Sequence, residues 1–84
     1  MKSRLAIIGI FVYELVNVEK INNLLHEYNQ YIIGRMGVPY KDKQVSVISI
    51  IVDGPNDIIG ALSGKLGMVE GVSVKALYSK RENE

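Results

Sequence analysis

The sequence contains no cysteine, no tryptophan and a single histidine, His26, among its 84 residues. Without thiols the chain has no disulfides, no thiolate-bound zinc and no cysteine-ligated iron–sulfur cluster. One histidine cannot complete a metal site by itself. We therefore expect neither a metal nor another cofactor.

The chain has no large excess of positive or negative charge, because its ten Lys and Arg residues nearly balance its nine Asp and Glu residues and leave a net charge of +1. This balance gives no electrostatic basis for nucleic-acid binding, and the four residues before the first apolar run, MKSR, are too few for a DNA-binding arm. The apolar run 5–12 is too short to span a bilayer, and no small-x-small cleavage site follows it. We expect a cytoplasmic chain without direct nucleic-acid or membrane partners.

The length of 84 residues predicts one domain, 1–84. A chain of this size buries only about 60–65% of its unfolded surface, so its stability is marginal without further support. Oligomerisation is the common source of support that remains when disulfides and metals are excluded.

Hydrophobic periodicity predicts six elements. The predicted strands are 4–13, 31–38, 45–52 and 72–79, and the predicted helices are 18–28 and a segment from Pro55 to Gly67. Asn17 fits the N-cap of the first helix, and Pro55 fits the first position of the second. Residues 80–84 are expected to form a flexible tail.

The order βαββαβ predicts an α+β fold, a ferredoxin-like sandwich with a four-stranded antiparallel sheet and two helices on one face. The first and third strands are apolar on both sides, which suits the two central positions of that sheet. The second strand contains Gly34 and Gly37 and ends at Pro39, which suits an edge.

Two helices cover only one face of such a sheet, so the central strands leave an apolar set exposed on the other. We predict a homo-oligomer, a dimer or a tetramer, although the pattern does not say which sheet face associates. The predicted interface residues are Ile8, Ile10, Val47 and Ile50 on the strands, with Gly60 and Gly64 on the second helix. Those two glycines lie away from the helix's apolar stripe, where they are either contact positions or tolerated exposed glycines.

No catalytic set is recognisable. The segment GALSGKLG, 60–67, has three residues between its first two glycines where a phosphate-binding P-loop has four, and leucine follows its lysine. His26 lies on the outer side of the first helix without an evident nucleophile. Arg35 interrupts the second strand and either binds an anion or faces solvent. We expect no enzymatic activity.

Three segments carry a family resemblance: LHEYNQYIIGRMGVPYK (25–41), ISIIVDGPNDIIGALSGKLG (48–67) and EGVSVKALYSK (70–80). Together they resemble the iron-only hydrogenase system regulator family of anaerobic bacteria. The resemblance implies an ACT-like regulatory domain, similar to the C-terminal domain of nickel-responsive regulators, that assembles into dimers or tetramers.

The chain departs from two related patterns. Nickel-responsive regulators use a histidine near the first helix, a His-x-His on the second strand and a cysteine, whereas only His26 has a counterpart here. Amino-acid-binding ACT domains usually have a glycine in the loop after the first strand, and residues 13–17 contain none. Nickel sensing of that kind is therefore not expected.

The resulting hypothesis is a non-enzymatic regulatory module that associates through a sheet face and binds a small effector at a subunit boundary. The candidate effector-binding residues are Tyr13, Asn17, His26 and Arg35. The main alternative is an adaptor without a small ligand that docks on a hydrogenase maturation or regulatory protein. Two further alternatives are a component of a metal-responsive transcription regulator and an acylphosphatase-like enzyme. The enzyme would need an anion-cradling arginine after the first strand, where this chain has Glu14.

Overall fold

The structure is a computed structural model, and it describes residues 3–82. The main elements are β1 (Arg4–Val12), α1 (Val18–Glu27), β2 (Ile32–Tyr40), β3 (Val45–Gly54), α2 (Asn56–Gly67) and β4 (Val72–Glu82). Short 3-10 turns lie at Leu15–Asn17, Asn29–Tyr31 and Lys41–Lys43. The predicted βαββαβ order is confirmed.

The four strands form one antiparallel sheet in the order β2-β3-β1-β4. The doubly apolar strands β1 and β3 occupy the centre, as their composition predicts. Strand β2 lies at an edge, also as predicted, but it continues through Pro39 to Tyr40. An edge strand tolerates proline because one of its sides has no hydrogen-bonding neighbour.

The core lies between one face of the sheet and the two helices. The fully buried side chains of at most 1% exposure are Ile8, Ile10, Val12, Ile21, Leu25, Ile50, Val52, Ile59, Leu62 and Leu66. The prediction that Ile8, Ile10 and Ile50 form a subunit interface is therefore wrong. These side chains pack under α1 and α2, and the helices exclude any other partner from them.

The start of α2 and the end of β4 also differ from the prediction. Pro55 is the N-cap of α2 rather than its first helical residue, because its backbone is extended at φ −62° and ψ 150°. Strand β4 runs to Glu82, so residues 80–82 belong to the sheet and not to a tail. The last two residues of the predicted tail lie outside the described residues. Within 3–82, neither helix is long and apolar enough to cross a membrane.

Candidate functional site

The sheet face that points away from the helices, here called the open face, is predominantly apolar. Seven large side chains on it are between 43% and 69% exposed: Ile7, Phe11, Met36, Val38, Tyr40, Ile51 and Leu77. All four strands contribute to this face. Residues of a strand alternate between the two faces of a sheet, so every strand places about half of its side chains here. The chain thus folds one apolar set into its core and leaves a second set in contact with solvent.

The open face is corrugated. Cross-strand pairing aligns Ile51, Ile7 and Leu77 in a first ridge. Val38, Val47 and Phe11 align in a second ridge. Between these ridges, Gly9 pairs with Ser49, and the two small residues form the floor of a trough whose ends are Met36 and Lys75. A Cβ atom added to Gly9 would meet only the Lys75 carbonyl oxygen, at 4.0 Å, so the trough is open.

A shallow apolar recess of about 260 Å³ adjoins the first ridge. Its lining includes Leu5, Ile7, Ile51 and Leu77, with Ser79 at the side. The recess is continuous with the open face and contains no charged side chain in its lining. It therefore belongs to the same apolar surface.

A second concave region lies between α1 and β2, on the helix side of the sheet. This α1–β2 groove has a volume of about 330 Å³. It is lined by Leu25, His26, Asn29, Ile32, Ile33, Gly34 and Arg35. The structure thus brings together His26 and Arg35, two of the four predicted effector-binding residues.

A β-bulge explains how Arg35 reaches this groove. The pairing of β2 with β3 shifts register between Ile32 and Gly34, which leaves Ile33 as the extra residue. Ile32 pairs with Val52 and Arg35 pairs with Ile50, two positions on the helix side of the sheet. Without the extra residue, strict alternation would place Arg35 on the open face. The Arg35 Nη2 instead donates a hydrogen bond to Asn22 Oδ1 on α1, at 3.0 Å.

Asn17 has a structural partner at the opposite end of α1. Its Nδ2 donates a hydrogen bond of 2.7 Å to the carbonyl oxygen of Glu70. Asn17 does occupy the N-cap position, but its side chain makes no capping hydrogen bond. The capping role inferred from sequence is thus replaced by a tie to the turn before β4, 53 residues away.

Tyr13 lies near Asn17 and far from the α1–β2 groove. Its backbone N–H donates to the Gly71 carbonyl oxygen at 2.7 Å, and its exposed ring stacks on Phe11 with centroids 6.3 Å apart. The ten residues of α1, a length of about 15 Å, separate this junction from the groove. The four predicted effector residues therefore form two separate pairs.

Gly71 is a residue that the sequence reasoning missed. Its φ of +75° lies in the left-handed region, and an added Cβ would lie 2.8 Å from Glu14 Cβ. Both facts require glycine at this position. The only sequence signal is a glycine directly before a predicted strand, which does not reveal the contact with Glu14.

The other predicted interface positions remain predictions. Val47 is half-buried in the second ridge of the open face. Gly60 and Gly64 are exposed on α2, and an added Cβ at either would meet nothing within 4 Å. Among residues 3–82, no group of three or more His, Asp or Glu side chains is arranged to hold a metal ion.

Comparison with protein families gives one match over most of the chain. The sequence profile of the TM1266-like family, described as iron-only hydrogenase system regulators, matches residues 4–76. Among solved structures, the uncharacterized protein TM1266 from Thermotoga maritima is 37% identical and superimposes with a TM-score of 0.88. The match covers 93% of this chain and 99% of that protein. No curated protein matches the chain.

More distant structures share the fold alone. The apo form of CPII from Thiomonas intermedia K12, a nitrogen regulatory PII-like protein, is 15% identical, with a TM-score of 0.56 over 100% of this chain and 98% of that one. A formyltetrahydrofolate deformylase from Pseudomonas putida KT2440 is 11% identical, with a TM-score of 0.63. That match covers 87% of this chain and 28% of the deformylase.

Proposed function

We propose that this chain, which belongs to the TM1266-like family of iron-only hydrogenase system regulators, is a non-enzymatic regulator that associates with a second copy of itself through the open face. The observation that carries the proposal is the exposed apolar set on that face. A monomeric protein rarely exposes so large a contiguous apolar patch without a partner.

The exposed area suits a stable dimer. The seven large side chains of the open face are about half exposed, and at roughly 200 Å² each they present on the order of 700 Å². A standard protein interface buries roughly 800 Å² per partner. The open face alone therefore supplies nearly the area that a specific dimer needs.

The shape of the open face favours a second copy as its partner. The face carries two ridges and a trough between them, so a ridge of one copy can enter the trough of the other. Under two-fold symmetry each such contact occurs twice, which makes a corrugated surface self-complementary. Sheets that pack face to face interdigitate in this way at about 10 Å separation.

The loop after β1 supports a non-enzymatic role. An acylphosphatase-like site would need an arginine and free backbone N–H groups there to cradle an anion. Here Glu14 stands in the loop, the Tyr13 N–H donates to Gly71, and the Asn17 N–H donates to the Glu14 carbonyl oxygen. The Asn17 side chain is held by Glu70. These N–H groups and the Asn17 side chain already have hydrogen-bond partners within the chain, so they do not form an anion cradle.

The test replaces an apolar side chain of the open face by lysine. Leu77 is 69% exposed, so Leu77→Lys removes little burial from the monomer but places a charge in the proposed interface. We expect the wild type to be a dimer or larger by light scattering at micromolar concentration, and the variant to be a monomer. The matched control is Met68→Lys, because Met68 is also a large apolar residue, is 86% exposed and lies outside the sheet.

The outcomes separate this proposal from its main alternative. A wild-type chain that stays monomeric at every tested concentration would overturn self-association. In that case the open face would remain available for a different protein, as an adaptor of a hydrogenase system requires. Dissociation by Met68→Lys as well as Leu77→Lys would show that the open face is not the specific contact.

A further inference from the structure

We propose that the α1–β2 groove binds a small organic carboxylate that carries an aliphatic tail. The inference rests on the proposed function only in taking the chain to be a regulator. It does not need the open face, because the groove lies on the helix side of the sheet.

The charge of the groove comes from Arg35. Among residues 3–82, no carboxylate lies within 4.0 Å of its guanidinium, whose hydrogen-bond partner is the Asn22 Oδ1 at 3.0 Å. A guanidinium has five N–H donors, so most of them remain available for an anion. Its planar fork matches the two oxygens of a carboxylate. The hydrogen bond to Asn22 holds the guanidinium near α1.

The bulge in β2 supports a binding role for Arg35. One extra residue, Ile33, moves Arg35 from the open face to the groove. Bulges occur often beside functional sites, where they redirect a side chain. The same extra residue also places Met36 and Val38 on the open face, so the bulge sets both sides of β2.

The rest of the lining defines the class of ligand. Ile32 and Ile33 supply apolar surface above the buried Leu25, and Ile33 is 65% exposed at the side of the groove. His26 and Asn29 add polar atoms. With Arg35 as its one permanent cation, the lining suits a monoanion better than a polyphosphate. The volume of about 330 Å³ is near the lower end for small-molecule sites, which suits a short aliphatic acid.

The test is an amide NMR titration of the full isotope-labelled chain with isocaproate near neutral pH. We expect saturable shifts in the amide signals of residues 25–35 and none at Gly9 on the open face. Isocaproamide has the same tail without the charge, and acetate has the charge without the tail. Both are expected to bind at least tenfold more weakly.

The variant Arg35→Gln removes the guanidinium from an exposed position, so the fold is expected to persist, as the dispersion of the amide spectrum would verify. We expect at least a tenfold loss of isocaproate affinity, about 1.4 kcal/mol. The matched control Lys43→Gln removes one positive charge from an exposed turn and is expected to leave the affinity unchanged.

Three results would overturn the inference: no shift with isocaproate at millimolar concentration, equal binding of isocaproamide, or equal binding by Arg35→Gln. Tighter binding of inorganic phosphate than of isocaproate would replace the carboxylate class by phosphate. Light scattering on the same samples keeps the two proposals apart. A monomeric wild type that binds isocaproate would refute self-association and leave the groove assignment intact.

Discussion

The two faces of the sheet are built from the same strands and the same kinds of residue, yet they have opposite fates. On β1, Ile8 and Ile10 are 0% exposed, whereas Ile7 and Phe11 are 45% and 44% exposed. The difference arises from α1 and α2, whose apolar side chains reach only one face. Burial of a strand residue is therefore decided by what packs on it and not by its own hydrophobicity.

The faces also differ in relief. The covered face places large side chains such as Ile8, Ile10, Ile48 and Ile50 side by side, and the helices fill the space above them. The open face has small residues, Gly9 and Ser49, between two apolar ridges. The proposed self-association through the open face depends on this relief.

The largest expected effect compares two isoleucines of β1. Ile10→Ala should lower the free energy of unfolding by about 3 kcal/mol, because it opens a cavity under the helices. Ile7→Ala should cost less than about 1.5 kcal/mol in dilute solution, since half-exposed Ile7 leaves no enclosed void. Urea unfolding followed by circular dichroism measures both. Equal costs in dilute solution would contradict the division into a covered and an open face.

Repeating the measurement at several protein concentrations provides a control for Ile7→Ala and Ile10→Ala. If the open face forms an interface, the cost of Ile7→Ala should grow as the protein concentration rises, because the folded dimer is favoured by mass action. The cost of Ile10→Ala relative to wild type should change much less. A concentration-independent cost for Ile7→Ala would count against the dimer.

The next prediction concerns a substitution that fills the trough of the open face with a larger side chain. Gly9→Val should leave the monomer stable, because the added Cβ has open space and valine suits a strand. The added bulk should weaken self-association by about 2 kcal/mol, roughly thirtyfold, since overpacking of a fitted contact costs about 1–3 kcal/mol. Sedimentation equilibrium measures the dissociation constant. Gly9→Ala should give a smaller change in the same direction, and unaltered association in both would refute a ridge-in-trough contact.

Much of the fold was predictable because it depends on local patterns. The βαββαβ order and the central places of β1 and β3 follow from periodicity and from strands that are apolar on both sides. The covered face was not predictable from β1, because from Leu5 to Val12 its even residues and, apart from Gly9, its odd residues are all apolar. The sequence-based choice of Ile8, Ile10 and Ile50 as interface residues was wrong for this reason.

The candidate groove was less predictable than the fold. Ile32 and Ile33 are identical, so no periodicity marks the bulge between them, and the direction of Arg35 depends on that bulge. Asparagine is favoured at helix N-caps, but the side chain of Asn17 instead bonds to the carbonyl oxygen of Glu70, 53 residues away. Such long-range contacts leave no trace in a local window of sequence.

A smaller effect is expected at Asn17, which ties α1 to the turn before β4 on the covered side. Asn17→Asp keeps a good capping residue but removes the N–H donor to the Glu70 carbonyl oxygen. We expect a loss of about 1–2 kcal/mol in the free energy of unfolding, because a part-buried acceptor loses its partner. Asn23→Asp, at an exposed position of α1, is the control. Retained stability in Asn17→Asp would restore the capping interpretation.

The smallest effect concerns Lys65, which links the two helices over the covered face. Its Nζ lies 3.5 Å from Glu27 Oε2 and 5.2 Å from the centroid of the Tyr28 ring. Hydrogen bonding with Tyr28, followed by the charge of Glu27, raises the pKa of Lys65 above its ordinary 10.5. The side chains of Lys65 and Glu27 are both about half exposed, so solvent screens the link. Lys65→Met should destabilise the fold less than Asn17→Asp does.

The pH dependence of this small effect identifies its cause. A pKa that is raised by folding gives stability that is fully present below pH 10.5 and is lost as pH rises through the folded-state value. The difference in unfolding free energy between wild type and Lys65→Met should therefore shrink above pH 10.5 and in molar salt. Lys43→Met, which removes an exposed lysine in a turn, should show no such trend. A difference that stayed constant with pH would assign the role of Lys65 to packing of its methylene chain, and the contact between the two helices at this point would then be apolar and not electrostatic.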